Sequence, residues 1–342
     1  MTVENKQAKV QKAIFNEIKN RAGSKKSSRA LVEELAQLLN VSTDSAYRRL
    51  RCEKFLALDE LEKISMHFKV SFDKHLALSE SDSVVFKVAL NQQNTSFDDF
   101  LMGIYTDLEE IIQHPNHKLI YSAKEVPIFH FLQIPELAAF KMFYWMKTLF
   151  QMPEYSNLSF SFDFISEQRL ALGKKISDLY AKANSYEIWN FESVHSFIAQ
   201  TEFYFQAGMM YKQTAITLLD KFAELMTLIR KQADIEFKCS IRGAAPKGHP
   251  KNYHLYFNEI ILSDNTIYAQ VGDNSICYIP HALLYYMTTS DKAYCDHLHN
   301  VLEGVMKKST MISGSAEKHR SIFFNYVFQK IEEAKNRLAI AL

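Results

Sequence analysis

The segment Val32–Leu50, VEELAQLLNVSTDSAYRRL, restricts this 342-residue chain more than any other stretch. Leu35, Leu39, Val41, Ala46 and Leu50 fall at helical spacing on either side of Asn40-Val41-Ser42. That pattern predicts two short helices crossing at a tight turn. Such a crossing needs a small side chain where the backbones meet, and Ala36 supplies it. The turn needs a residue that accepts positive φ, a role in which asparagine follows glycine, and Asn40 stands there. Ser42 is a good N-cap for the second helix, predicted from Thr43 to about Glu53.

Flanking segments extend this to a bundle. Val10, Ile14, Phe15 and Ile18 form one stripe of a helix over 3–21, and Leu61, Ile64 and Phe68 mark another over 58–68. The spacing in Val32–Leu50 resembles the phage-repressor-like (Cro/repressor) helix-turn-helix family, and STDSAYRRLRCEKFLALDELEKISMHFKVS carries the likeness through the next helix. About 75 residues are covered, with two departures. The turn glycine is Asn40, and the last apolar position of the third helix falls on Leu50, one residue after the family position, which holds Arg49. The second departure implies a slightly rotated helix.

The resemblance implies that this third helix enters the major groove. Carried over, its outward residues are Thr43, Asp44, Tyr47 and Arg48. Arg48 is placed to read guanine and Thr43 to meet a thymine methyl. Ser42, Lys25, Lys26, Arg51 and Lys54 are placed to hold phosphates, which set register rather than sequence preference. The plainer account is a small bundle with a solvated basic face that docks protein only. The run Arg48-Arg49-x-Arg51 beside Tyr47 favours nucleic acid.

Charge distribution agrees with a polyanion partner at the N-terminus. Residues 1–78 hold 15 basic and 10 acidic side chains, net +5, while the rest holds 25 and 29, net −4. The scarcity of turn residues (9 Gly, 7 Pro) argues for long helices, and 25 Phe with 17 Tyr argue for a bulky core. The expected fold is therefore mainly α: a helix-turn-helix bundle over 1–78, a linker over 79–95 with one short strand at Val84–Leu90, and a large helical body over 96–342. Helices are predicted at 96–113, 135–151, 163–184, 191–207, 211–233, 281–288, 291–307 and 316–339, with 118–133 extended or irregular and broken by Pro127. The body is expected to carry one small antiparallel β-meander near 253–280, built from Tyr253–Leu262, Thr266–Val271 and Ile276–Ile279.

Cys52, Cys239, Cys277 and Cys295 form no CxxC pair. With no signal peptide and no long apolar run, they point to a reducing, cytoplasmic setting with no membrane partner.

Candidate chemistry in the body is sparse. Phosphate-binding glycine loops, HExxH and GxSxG are absent from the sequence, so neither a cofactor nor an enzymatic role is expected. Cys295, His297 and His299 form the one metal-like group, but only Cys295 and His299 share a helix face, so polar helix surface accounts for them better. His114 and His117 straddle Pro115 and rank lower. An anion site is suggested by Lys307, Lys308, Ser315, Lys318 and Arg320, with Ser313 or Ser315 capping the last helix. The basic loop Arg242–Lys251 is a similar candidate or an extra DNA contact. The aromatic runs at 140–145 and 203–205 read as core, and also as the lining of an apolar ligand pocket.

The resulting expectation is a one-component transcription regulator that binds double-stranded DNA as a homodimer and whose body dimerises, senses a small-molecule effector, or both. The last-helix stripe Phe324, Phe328, Ile331, Ala334 and Leu338 is expected either to pack on the body or to form the dimer contact. The rival expectation is a scaffold that uses the same bundle for protein contacts.

Overall fold

A computed structural model describes residues 3–22, 28–70, 84–88, 96–239, 248, 250–260, 264–282 and 285–340. The chain divides into two compact units, 1–85 and 86–342.

The first unit contains α1 (Val3–Ala22), α2 (Ser28–Leu39), α3 (Thr43–Leu50) and α4 (Leu58–Phe68). Their apolar stripes meet in one core of Ile14, Phe15, Ile18, Leu31, Val32, Leu35, Ala36, Leu39, Ala46, Ile64 and Val70. Ala36 and Ala46 are buried where α2 and α3 approach each other. The turn between them rests on Asn40, whose φ of 55° is the left-handed conformation. The Val41 amide closes it by donating to the Ala36 carbonyl at 3.0 Å.

The second unit holds the main correction to the expected fold. It is not a helical body with a small meander but a seven-stranded mixed sheet flanked by helices. The strands are β1 (His117–Ala123), β2 (Ser185–Trp189), β3 (Tyr253–Phe257), β4 (Thr266–Val271), β5 (Asn274–Ala282), β6 (Tyr285–Thr289) and β7 (Thr310–Met311), in the order β6-β5-β4-β1-β2-β3-β7. The pairs β1/β2 and β2/β3 are parallel, and the remaining four are antiparallel. Parallel neighbours require long crossovers. Helices α6 (Ile128–Phe131), α7 (Pro135–Tyr144) and α8 (Glu167–Tyr180) make the first crossover, and α9 (Phe191–Gln206) and α10 (Lys212–Ile235) make the second. The expected three-strand meander is displaced along the chain: β4, β5 and β6 form it, while Tyr253–Phe257 pairs with β2 instead. At the β4–β5 turn Gly272 has φ +62°, and a Cβ there would lie 2.6 Å from His114 Nε2.

Side chains alternate across the sheet. Leu119, Tyr121, Ala123, Trp189, Leu255 and Ala269 face the large core shared with α5 (Phe97–Gln113), α7–α10 and α12 (Glu317–Ile340). Ile120, Ile188, Tyr268 and Cys277 face the other way, onto Cys295, Leu302 and Met306 of α11 (Lys292–Lys307). The large core is aromatic, with Phe131 stacked on Phe222 at 5.8 Å and Phe222 4.6 Å from Phe197. The stripe of the last helix belongs to it. Phe324, Ile331, Ala334 and Leu338 are buried and Phe328 packs against them, so this stripe is interior rather than a surface offered to a second chain. The strand expected at Val84–Leu90 reduces, within the described residues, to a bridge in which Lys87 and Thr288 exchange backbone hydrogen bonds at 2.8 and 2.9 Å. No helix among the described residues is long and apolar enough to cross a membrane.

Candidate functional site

The outward face of α3 is set by which of its residues the bundle consumes. Ser42 caps the helix, its hydroxyl accepting from Ser45 N–H at 3.2 Å. Ala46 faces the core, and Arg49 turns inward as well, only 3 % exposed. Its guanidinium donates to Glu60 from Nε (3.0 Å) and Nη2 (2.5 Å), and from Nη1 to the Ser45 carbonyl (3.1 Å) and hydroxyl (2.5 Å). Arg49 is thus buried more deeply than Leu50. Arg49 occupies the apolar position itself, its charge answered by Glu60, and Leu50 packs beside it half-buried.

Ser42, Thr43, Asp44, Arg48, Arg51 and Lys54 are exposed, and Tyr47 is half-buried. Arg51 lies over the Tyr47 ring at 5.6 Å and 3.7 Å from Glu53. Lys25 and Lys26 lie outside the described residues. Sequence reasoning missed Gln11. From α1 its amide donates to the Arg49 and Lys54 carbonyls (2.7 and 2.8 Å) and accepts from Leu56 N–H (2.9 Å), pinning the loop that follows α3.

In the second unit the residues of the expected anion cluster differ in burial. Lys307, Lys308, Ser315 and Lys318 are exposed, but Arg320 is buried. Arg320 donates to the Ile312 and Gly314 carbonyls at 3.1 and 2.7 Å and pairs with Asp234. Ser313 does not cap α12, because its hydroxyl accepts from Leu255 N–H at 2.7 Å. Most of the loop Arg242–Lys251 lies outside the described residues, and Lys251 pairs with Glu236. Cys295 points into the sheet, its sulfur 3.4 Å from that of Cys277, while His299 lies 3.5 Å from Glu303 and His297 is exposed. His114 and His117 serve a turn, where the His114 carbonyl lies 2.7 Å from His117 Nδ1.

Two further features emerge in this unit, the second at the aromatic run 140–145 that the sequence also offered as pocket lining. One is a buried polar cluster centred on Glu187 of β2. Glu187 accepts from Tyr180 (2.6 Å), Trp189 (2.9 Å) and Tyr253 (3.3 Å) and contacts His130 Nε2 at 2.9 Å. Burial pushes its carboxyl up, but His130, Tyr180 and Lys238 outweigh that and hold it below the ordinary glutamate value. Lys238, 3 % exposed, donates to the Ala183 carbonyl, the Ser185 hydroxyl and the Asn252 carbonyl at 2.6, 2.6 and 2.9 Å. Burial lowers its ammonium to about 7.

The other feature is a cavity of about 410 Å³ between α5–α7 and the sheet face of β1, β4, β5 and β6. Phe100, Phe129, Tyr144, Trp145, Tyr278 and Tyr286 supply most of its aromatic wall. Tyr180 belongs both to that wall and to the Glu187 cluster. At one end Lys141, itself buried, donates to Glu125 at 3.2 Å and Gln200 at 3.1 Å. Lys141 holds the Glu125 carboxyl below the usual carboxylate range. At the mouth Asp107 is exposed, with Tyr278 and Glu110 as its neighbours. The aromatic run at 140–145 thus divides, with Phe140 and Phe143 in the core and Tyr144 and Trp145 on the cavity, whereas Phe203 is exposed.

Comparison with known proteins finds no matching family model, curated protein or solved structure.

Proposed function

We propose that the chain is a sequence-specific DNA-binding transcription regulator in which α3 reads the major groove. The observation that carries this reading is the pairing of α2 and α3 at Asn40, with Arg49 turned into the bundle so that Thr43, Asp44, Tyr47 and Arg48 remain on one outward face. Short polar residues at the start of the helix suit close approach to base edges. Arg48 fits a bidentate pair with guanine, and Asp44 can accept from a cytosine amino group. Arg51, Lys54 and Ser42 flank that face as phosphate contacts.

Binding of the full chain to duplexes selected from random sequence tests the reading. Arg48→Ala is expected to cost about 1–3 kcal/mol and to relax preference at one base pair, whereas Lys54→Ala weakens every duplex alike and flattens the salt dependence. An Arg48→Ala protein with unchanged affinity and preference would refute the assignment of α3. Binding that does not respond to salt would favour the scaffold alternative, in which the bundle docks protein.

One such bundle buries too little surface for tight specific binding, and the chain contains a single copy of the Val32–Leu50 pattern. Two chains are therefore proposed to act together on half-sites about one helical turn apart, in a cytoplasmic setting. Sedimentation of the protein on a selected duplex is expected to give two chains per site. A single bound chain at saturation would remove the dimer from the proposal.

A further inference from the structure

We propose that the cavity between α5–α7 and the sheet binds a lipophilic organic cation, an arylalkyl amine of drug-like size. The inference does not depend on DNA reading by α3.

Size, wall chemistry and charge lead to this class together. A volume of about 410 Å³ lies in the range of small-molecule sites. The walls offer the π faces of Phe100, Phe129, Tyr144 and Trp145, which pack an aromatic or branched alkyl body. Rings of this kind also attract a cation through their quadrupoles. Charge then selects the head group. Lys141 is the one cationic side chain among the described lining residues, and it is consumed by Glu125 and Gln200. That ion pair cancels and leaves the Asp107 carboxylate at the mouth, where the hydroxyl of Tyr278 is its neighbour and Glu110 adds a second negative charge nearby. An ammonium group at the mouth gains from Asp107 and the rings, while a carboxylate there meets repulsion and finds no spare cation. A neutral analogue gains only the apolar contacts.

Trp145 provides the readout, since the chain has only two tryptophans and Trp189 is sealed in the Glu187 cluster. The full-length protein is titrated at low ionic strength with 4-phenylbutylamine, 4-phenylbutan-1-ol and 4-phenylbutyrate, following tryptophan emission and, independently, heat of binding. The amine is expected to bind at least about threefold more tightly than the alcohol, a ratio suited to an exposed carboxylate partner, and the butyrate most weakly. Asp107→Asn brings the amine down to the alcohol and leaves the alcohol unchanged. Gly103→Leu blocks all three probes at the mouth while the far-ultraviolet dichroism stays native, because a Cβ at Gly103 meets no atom within 4 Å. The proposal is overturned if no probe binds, if the butyrate binds most tightly, or if the order of affinities survives Asp107→Asn.

Discussion

Glu60→Ala is expected to destabilise the N-terminal bundle by about 3 kcal/mol, a large fraction of what a small domain possesses. The reason lies in the position of Arg49. Its side chain occupies an interior position of α3, and Glu60 of α4 receives both Nε and Nη2. Removing the carboxylate leaves a buried guanidinium whose acceptors among the described residues are the carbonyl and hydroxyl of Ser45. Glu60 also accepts from Ala57 N–H at 3.1 Å, so the start of α4 frays in the same variant. Hydrogen exchange of the α3 and α4 amides reads the effect locally, without interference from the second unit. The double variant Arg49→Met/Glu60→Leu is expected to recover most of the loss, because an apolar pair in the same volume needs no compensating charge. A single variant as protected as the parent would show that the ion pair contributes nothing.

The same pair fixes a pH dependence. Hydrogen bonding to Arg49 holds the Glu60 carboxyl below its ordinary value. The unfolded chain takes up a proton at about pH 4.3, whereas the folded chain does so only at lower pH. The contribution is therefore complete above that ordinary value and is lost as pH falls through the folded one. Acid titration from pH 5 downward should show α3 losing protection before the pH at which Glu60→Leu/Arg49→Met does.

Legibility in the sequence followed local physics. The bundle was readable because every device in it is local: Ala36 at a crossing, Asn40 at a left-handed turn, Ser42 as a cap, and stripes of period 3.6. Arg49 misled because its burial depends on Glu60, a long-range partner that spacing does not reveal. The sheet was hidden for a similar reason. Central parallel strands usually read as apolar runs, but β2 is SYEIW, with a carboxylate at its middle that only the fold neutralises. Strand β1 was obscured by Pro127 close behind it, and β6 by an apolar stretch that also fits helical spacing. The candidate cavity draws residues from α5, β1, α7, β5 and β6, and no motif spans that distance. The one available signal was the aromatic density around 140–145, which marked the region without separating core from lining.

Glu187→Ala is expected to prevent the second unit from holding its native packing. The substitution removes one acceptor set from the hydroxyls of Tyr180 and Tyr253, the indole N–H of Trp189 and the ring of His130, and it takes away the negative charge facing Lys238. Each buried donor left without a partner costs about 1–3 kcal/mol, more where it is charged, so the sum approaches the whole stability of an ordinary domain. Near-ultraviolet dichroism and the emission of Trp189 should lose their native form while helix content persists. Glu187→Gln keeps an acceptor oxygen in the same place and is expected to fold with reduced stability, which separates loss of charge from loss of shape. In the parent protein the unfolded chain retains the Lys238 proton up to about pH 10.4, whereas the folded chain releases it near 7. Between those values the unfolded state binds more protons, so stability should climb as pH rises from 7 toward 10. In Glu187→Gln the ammonium loses its attracting carboxylate, its folded value falls further, and the climb should begin at lower pH. Denaturant midpoints measured at intervals from pH 6 to 10 test both slopes, and a flat profile in the parent would mean that Lys238 is solvated rather than sealed beneath Tyr180 and Tyr253.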